Sequence, residues 1–265
     1  MKPYKMIQSN TPISMFEMQT YCPAIFAEEP HASRSDKYTP ISTADVVHAL
    51  LEENFHPYMI GQSVPRDPTQ YRTAKHMIRF RKGEKQADVM NEIILINSFN
   101  GSSSAKLLAG AFRGVCMNGL IAGKIVQEVS IPHRGQHIND YIEGAYTIVN
   151  QFETVDEHRA AMESTHLSYD QAYNFADKAL AIRWPDPDKR TLHPDHLLWS
   201  RRLEDNKTDL FTVFNRVQEN LLKPRVTIIE NGKTRSPRKI QNIDDLKYIN
   251  QSLWNLAEQT LTEVA

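Results

Sequence analysis

Two histidine pairs, two cysteines, an arginine pair and two runs of cations are the residues of this 265-residue chain whose types and spacing could do chemistry. His133 and His137 stand four apart in HRGQH. On a helix such a pair shares a face and can chelate zinc. Pro132 and Gly135 argue for a loop or a helix start instead, and no glutamate follows His133 as an HExxH site requires. His193 and His196 in HPDH offer a second metal pair, but the spacing also lets Asp195 cap a helix over 196–203, and the cap is preferred. Arg201 and Arg202, followed by Glu204 and Asp205, read as a solvated helix end with local ion pairs. The functional alternative is a bidentate site for phosphate or carboxylate.

Cys116 lies in RGVCMNGL, with Arg113 three residues away and no histidine near it in sequence. A nucleophilic thiol needs a neighbour that stabilises its thiolate, so Cys116 is read as a small buried hydrophobe. The chain has no GxSxG elbow, no GxGxxG and no GxxxxGK[ST]. No carboxylates are spaced as a metal-dependent nuclease would space them. The expectation is a non-enzymatic protein with no catalytic residue, no metal and no cofactor.

Charge is the most informative feature. Net charge is -1, so any polyanion site must be a local patch. Lys223, Arg225, Lys233, Arg235, Arg238 and Lys239 fall within 17 residues, opposed only by Glu230. Lys75, Arg79, Arg81 and Lys82 form a second basic run, with Lys106 and Arg113 beside it if the neighbouring strands pair. Cations can merely guard exposed strands against aggregation. Two such patches point instead to nucleic acid, with Lys75, Arg79, Arg81, Lys106, Arg113, Arg225, Lys233, Arg235, Arg238 and Lys239 as the binding residues. Phe112, Phe99 and Tyr71 are the aromatics available for stacking on bases.

The elements that must position these residues follow from hydrophobic periodicity. Residues 1–40 carry five prolines and little periodicity, which predicts an irregular arm. Ser42 caps a helix over 43–53. In Thr73–Arg81, His76, Ile78 and Phe80 alternate with Lys75, Met77, Arg79 and Arg81, predicting a half-buried strand with a basic outer face. EIILIN at 92–97 suits a central strand buried on both faces. Asn100-Gly101 turns the chain into a third strand over Lys106–Val115. The three make an antiparallel meander.

Beyond it the chain reads as helical. One amphipathic helix runs from Ile138 to Phe152. Ser168 caps a second, with Ala172, Phe175, Ala176, Ala179 and Leu180 inward. A third carries Leu210, Phe211, Phe214, Val217 and Leu221, with Asn215, Gln218 and Glu219 as its wet face or as the lining of a site. Arg225–Glu230 and Lys233–Ile240 flank Asn231-Gly232, predicting a type I′ hairpin. A helix from Ile243 onward closes the chain. The fold class is α+β, with a single domain over 41–265.

Only two cysteines occur, and neither has a CxxC partner, which fits a reducing compartment. No signal-like apolar stretch and no run of about 18 apolar residues occurs, so a cytoplasmic protein with no membrane partner is expected.

NSFNGSSSAKLL followed by FRGVCMNGL, then LLWSRRLED, DLFTVFNRVQENL, the basic hairpin and INQSLWNLAE, resembles the phage- and plasmid-like family known as domain of unknown function 932, in its prophage-encoded branch. The resemblance spans roughly residues 40–260. In one departure, Lys223-Pro224 stands where a glycine pair is expected after QENL. The resemblance implies a mobile-element setting and business with DNA or host defence. The expected function is thus an accessory protein of DNA metabolism that binds single-stranded DNA or RNA in an annealing-like role, with self-association allowed. The alternative is a non-catalytic inhibitor that binds a host defence or restriction protein.

Overall fold

A computed structural model describes residues 4–83, 89–113, 118–121, 128–133, 138–186, 188, 192–230 and 233–264. The chain gathers into two compact units. The first holds residues 1–115, 126–152 and 241–243, and the second holds 116–125, 153–240 and 244–265.

The first unit is built on an antiparallel sheet. Strands β1 (Tyr4–Gln8), β2 (Phe55–Ser63), β3 (His76–Lys82), β4 (Val89–Asn97) and β5 (Ala105–Arg113) lie in that order; the short β6 (Asn118–Ile121) follows in the chain, and β7 (Val129–Ile131) returns to pair with β5. The expected meander is present, with Ile78 opposite Leu95 and Ile93 opposite Ala109. Residues 114–117, which include the expected strand end at Val115 and the candidate Cys116, lie outside the described residues. The EIILIN run is buried on both faces, as its composition requires. Gly101 turns β4 into β5 at φ +77°, where a glycine carries no steric cost.

The first 40 residues are not the irregular arm expected. β1 pairs with β2, and helix α1 (Met15–Tyr21) opens on a complete capping box between Ser14 and Glu17. The prolines flank these elements rather than interrupt them; Pro23 sits at the start of a 3-10 turn, where its missing N–H costs nothing.

Helices α2 (Thr43–Glu52) and α3 (Ile138–Val149) pack on the sheet and on each other. α2 ends through Asn54 at φ 64°, the left-handed position that terminates many helices. α3 approaches closely enough that a Cβ on Gly144 would stand 2.8 Å from Leu107 Cδ1 and 3.2 Å from Val129 Cγ1. A buried hydrogen-bond chain pins α2 to the strands. Asn97 Nδ2 donates to Thr43 Oγ1 at 3.0 Å, Thr43 lies 3.0 Å from His76 Nε2, and His76 Nδ1 lies 3.0 Å from the Ala74 carbonyl. The last contact puts the imidazole proton on Nδ1, leaving Nε2 to accept from Thr43.

The helix expected from Ile138 to Phe152 stops at Val149, and α4 (Phe152–Ser164) begins after two residues. In the second unit, α5 (Tyr169–Arg183) is capped by Ser168 and buries the five residues expected. α7 (Leu210–Leu222) is capped by Asp209, whose Oδ1 accepts from the Thr212 N–H at 2.8 Å. It is the most enclosed helix of the unit. Leu210, Phe214 and Val217 are buried, and so are Asn215, Gln218, Glu219 and Asn220 on the other side. Of the two readings of that stripe, a wet face is therefore excluded. α8 (Ile243–Val264) closes the chain, and its Trp254 meets Phe214 edge-on at 6.0 Å.

Candidate nucleic-acid interface

β3 does not present a basic outer face. Arg79 and Arg81 are each only 4% exposed, and both reach one buried carboxylate. Arg79 Nε lies 2.5 Å from Glu92 Oε2, and Arg81 Nε lies 2.8 Å from Oε1. Arg79 also donates to the Ala111 carbonyl, and the Arg81 guanidinium lies 4.3 Å from the centroid of the Tyr58 ring. The physical reason is desolvation: a glutamate inside an apolar strand needs cations, and two arginines satisfy both of its oxygens. Lys75 is half-buried, Lys106 pairs with Glu128 at 2.5 Å, and Arg113 is half-buried at the end of β5. Phe99 is fully buried. The meander thus spends Arg79 and Arg81 internally.

The arginine pair of the second unit is also committed inward. Arg202 takes Glu219 in a fork, with Nη1 2.8 Å from Oε2 and Nη2 2.9 Å from Oε1. Nη1 also lies 2.9 Å from Asp205 Oδ2. The hydrogen bonds that Arg202 donates to Glu219, more than any other cause, raise its pKa above its ordinary value. Arg201 lies 3.4 Å from Glu219 and donates to Asn220 Oδ1 at 2.8 Å and to the Lys223 carbonyl at 2.5 Å. Burial lowers its pKa, with Glu219 opposing. The carboxylate that this pair binds bidentately belongs to the chain itself. Local pairing with Asp205, read from RRLED, is present as well.

The basic run 223–239 is different in kind. Strands β8 (Ile228–Glu230) and β9 (Lys233–Arg235) pair antiparallel, with Glu230 opposite Lys233, so a hairpin is present but its strands are shorter than the expected Arg225–Glu230 and Lys233–Ile240. Its turn residues, Asn231 and Gly232, lie outside the described residues. Arg225, Arg238 and Lys239 are exposed. Arg183 anchors the base of the run, donating to the Leu221 carbonyl and, at 2.5 Å, to that of Arg238.

The HPDH motif also differs from its sequence reading. Helix α6 spans Pro194–Leu198, and its N-cap is His193, not Asp195. The His193 N–H donates to His196 Nδ1 at 3.0 Å. Asp195 instead accepts from the Tyr169 hydroxyl at 2.7 Å and lies 3.2 Å from His193 Nδ1. Among the described residues, no group of three histidines, cysteines, aspartates or glutamates is placed to hold a metal ion. His133 is buried, and its Nε2 lies 3.3 Å from the Ser103 carbonyl; His137 lies outside the described residues.

These contacts bring together something the sequence reading missed. Tyr169, Tyr173, His193, His196 and Trp199 form a continuous chain of ring contacts, with centroids 6.2, 5.8, 6.3 and 4.8 Å apart in turn. The signal was present as Y-x3-Y at the start of α5 and H-x2-H-x2-W across α6. Reading the histidines only as ligands or caps concealed it.

The family model described as "Domain of unknown function (DUF932)" matches residues 30–254. The chain is similar to UPF0380 protein YfjQ of Escherichia coli (strain K12), 37% identical over 98% of this chain and 95% of that protein. UPF0380 protein YafZ of the same strain is 36% identical over the same shares. No solved structure matches. Among the described residues, no helix is long and apolar enough to cross a membrane.

Proposed function

The chain belongs to the family described as domain of unknown function (DUF932), and from that premise we propose that it is an accessory protein of mobile-element DNA metabolism that binds single-stranded nucleic acid through residues 223–239. The observation that carries this reading is a division of labour among cations. Arg79, Arg81 and Arg202 are held by Glu92, Glu219 and Asp205, whereas Arg225, Arg238 and Lys239 are exposed on a segment with six cations and one glutamate. A local positive ribbon on a chain of net charge -1 attracts a polyanion only where the ribbon stands. The phage- and plasmid-like motifs support the mobile-element setting. The buried free thiol of Cys22 fits a cytoplasmic one.

If the segment holds about three phosphates of a single strand, the log-log dependence of affinity on salt should have a slope near -2. Replacing Arg235 and Arg238 with alanine should weaken binding evenly across sequences and flatten the slope by about one unit. Gel shifts with short DNA and RNA oligonucleotides, read from about 50 mM salt upward, test this. Absence of binding at the low end rejects the reading. The competing reading, a non-catalytic inhibitor of host defence, draws on Leu203, a large apolar side chain that is 85% exposed. Capture of one host defence protein, lost on Leu203→Asp, would favour it.

A further inference from the structure

Exposed aromatic rings are rare because burying them stabilises a fold, so a row of them at the surface demands a reason. In the ring chain of the second unit, Tyr169 is 65% exposed and Trp199 54% exposed, and the side chain of His193 is 57% exposed. The two ends and the middle are therefore open to solvent. Successive rings from Tyr173 onward meet at 61°, 82° and 87°. An edge-on contact covers at most one face of a ring, so flat partners can still be received.

The rings are also held. The Tyr169 hydroxyl donates to Asp195, which fixes His193 through its other oxygen. The His193 backbone fixes His196 Nδ1, and Tyr173 Oη lies 3.4 Å from His193 Nε2. Rings ordered in the free protein lose little rotamer freedom on binding. The Trp199 end is joined to the basic run. Asn220 Nδ2 donates to the Trp199 carbonyl at 2.8 Å, and Arg201 binds both Asn220 and the Lys223 carbonyl. Arg225 is close enough to Arg201 for its charge to act on it.

We propose that Tyr169, Tyr173, His193, His196 and Trp199 form a stacking site for the unpaired bases of the single strand whose phosphates the segment 223–239 holds. This rests on the function proposed above and adds the base-recognising half of the site. Aromatic faces accept any base, and in a duplex those faces are closed by neighbouring pairs, so the site selects single strands without reading sequence.

The test compares an oligothymidine with an abasic oligomer of equal length and charge. Wild type should bind the oligothymidine at least about fivefold more tightly, with quenching of tryptophan emission. Tyr169→Ala and Trp199→Ala should each reduce that preference and leave the salt slope unchanged, with circular dichroism confirming that the variants are folded. Independently of any variant, a 5-iodouridine oligomer photocrosslinked to wild type should attach at Tyr169, Tyr173 or Trp199. Equal affinity for the two oligomers, or crosslinks confined to other regions, overturns the stacking site while leaving phosphate binding by the basic run standing. If wild type binds neither oligomer, the function proposed above fails, and the stacking site fails with it. If the ring substitutions abolish capture of a folded protein partner instead, the surface is a protein-docking site and the proposal is wrong.

Discussion

Protonating His76 would put a charge in the core, where Thr43 needs its Nε2 as an acceptor. Burial lowers its pKa from 6.5 to about 4, the dominant cause, and nearby His133 acts in the same direction. The unfolded chain takes a proton below about pH 6.5 while the folded chain refuses it until about pH 4. Stability from this residue is therefore complete above pH 6.5 and lost as pH falls toward 4, on the order of 3 kcal/mol in all. Unfolding midpoints measured across that window should fall steeply, and His76→Gln should flatten the profile. An unchanged slope in the variant would remove His76 as the cause. At this scale the sequence was legible for polarity and not for partnership. Alternation put Arg79 and Arg81 on one face of β3 correctly. It could not say that Glu92, on the adjacent strand, would meet them there. The clue was the acid that opens EIILIN: an acid in an apolar strand implies a cation against it.

Elements were easier to read than the space between them. The Ser168 cap and the apolar stripe of α5 are local properties of a dozen residues, and they stand as read. The apolar side of α7 stands as read, but periodicity alone cannot choose between a wet face and an enclosed one, because a helix buried all round can carry polar residues wherever Arg202, Asn250 or a carbonyl receives them. β1 and α1 are hidden from periodicity although Ser14 and Glu17 spell a capping box, because the prolines around them read as breakers. The close approach of α3 gives a test with an unusual sign. Glycine to alanine inside a helix ordinarily stabilises by about 1 kcal/mol. At Gly144 the added methyl would meet the fully buried Leu107 at 2.8 Å and Val129 at 3.2 Å. Overpacking of about 1–3 kcal/mol should outweigh the gain. Denaturant titration of Gly144→Ala should show net destabilisation, whereas a higher midpoint would mean that the helix shifts at little cost.

Over the whole molecule the charges nearly cancel, yet their placement does not. With 31 basic and 32 acidic residues, a bulk measurement would report an unremarkable surface. A local ribbon predicts otherwise. The protein should be retained on heparin at about pH 8 and low salt despite its negative net charge. Replacing Arg225, Arg238 and Lys239 with glutamine should abolish retention, while removing three lysines elsewhere on the surface should not. Equal losses from both sets would mean that the charge acts diffusely.

The anchoring of that ribbon carries a consequence for how the chain can change. Arg183 grips the carbonyls of Leu221 and Arg238, and the Ile240 N–H donates to the Leu222 carbonyl at 2.9 Å. The residues between are a loop whose ends are tied independently of what the loop contains. Closing a flexible loop twice as long costs only about 0.6 kcal/mol more. The hairpin can therefore lengthen, shorten or exchange its tip without disturbing α7 beneath it. The part of the molecule proposed to meet a nucleic acid is the part where insertions are cheapest, so descendants of this chain can vary their reach while inheriting the same core.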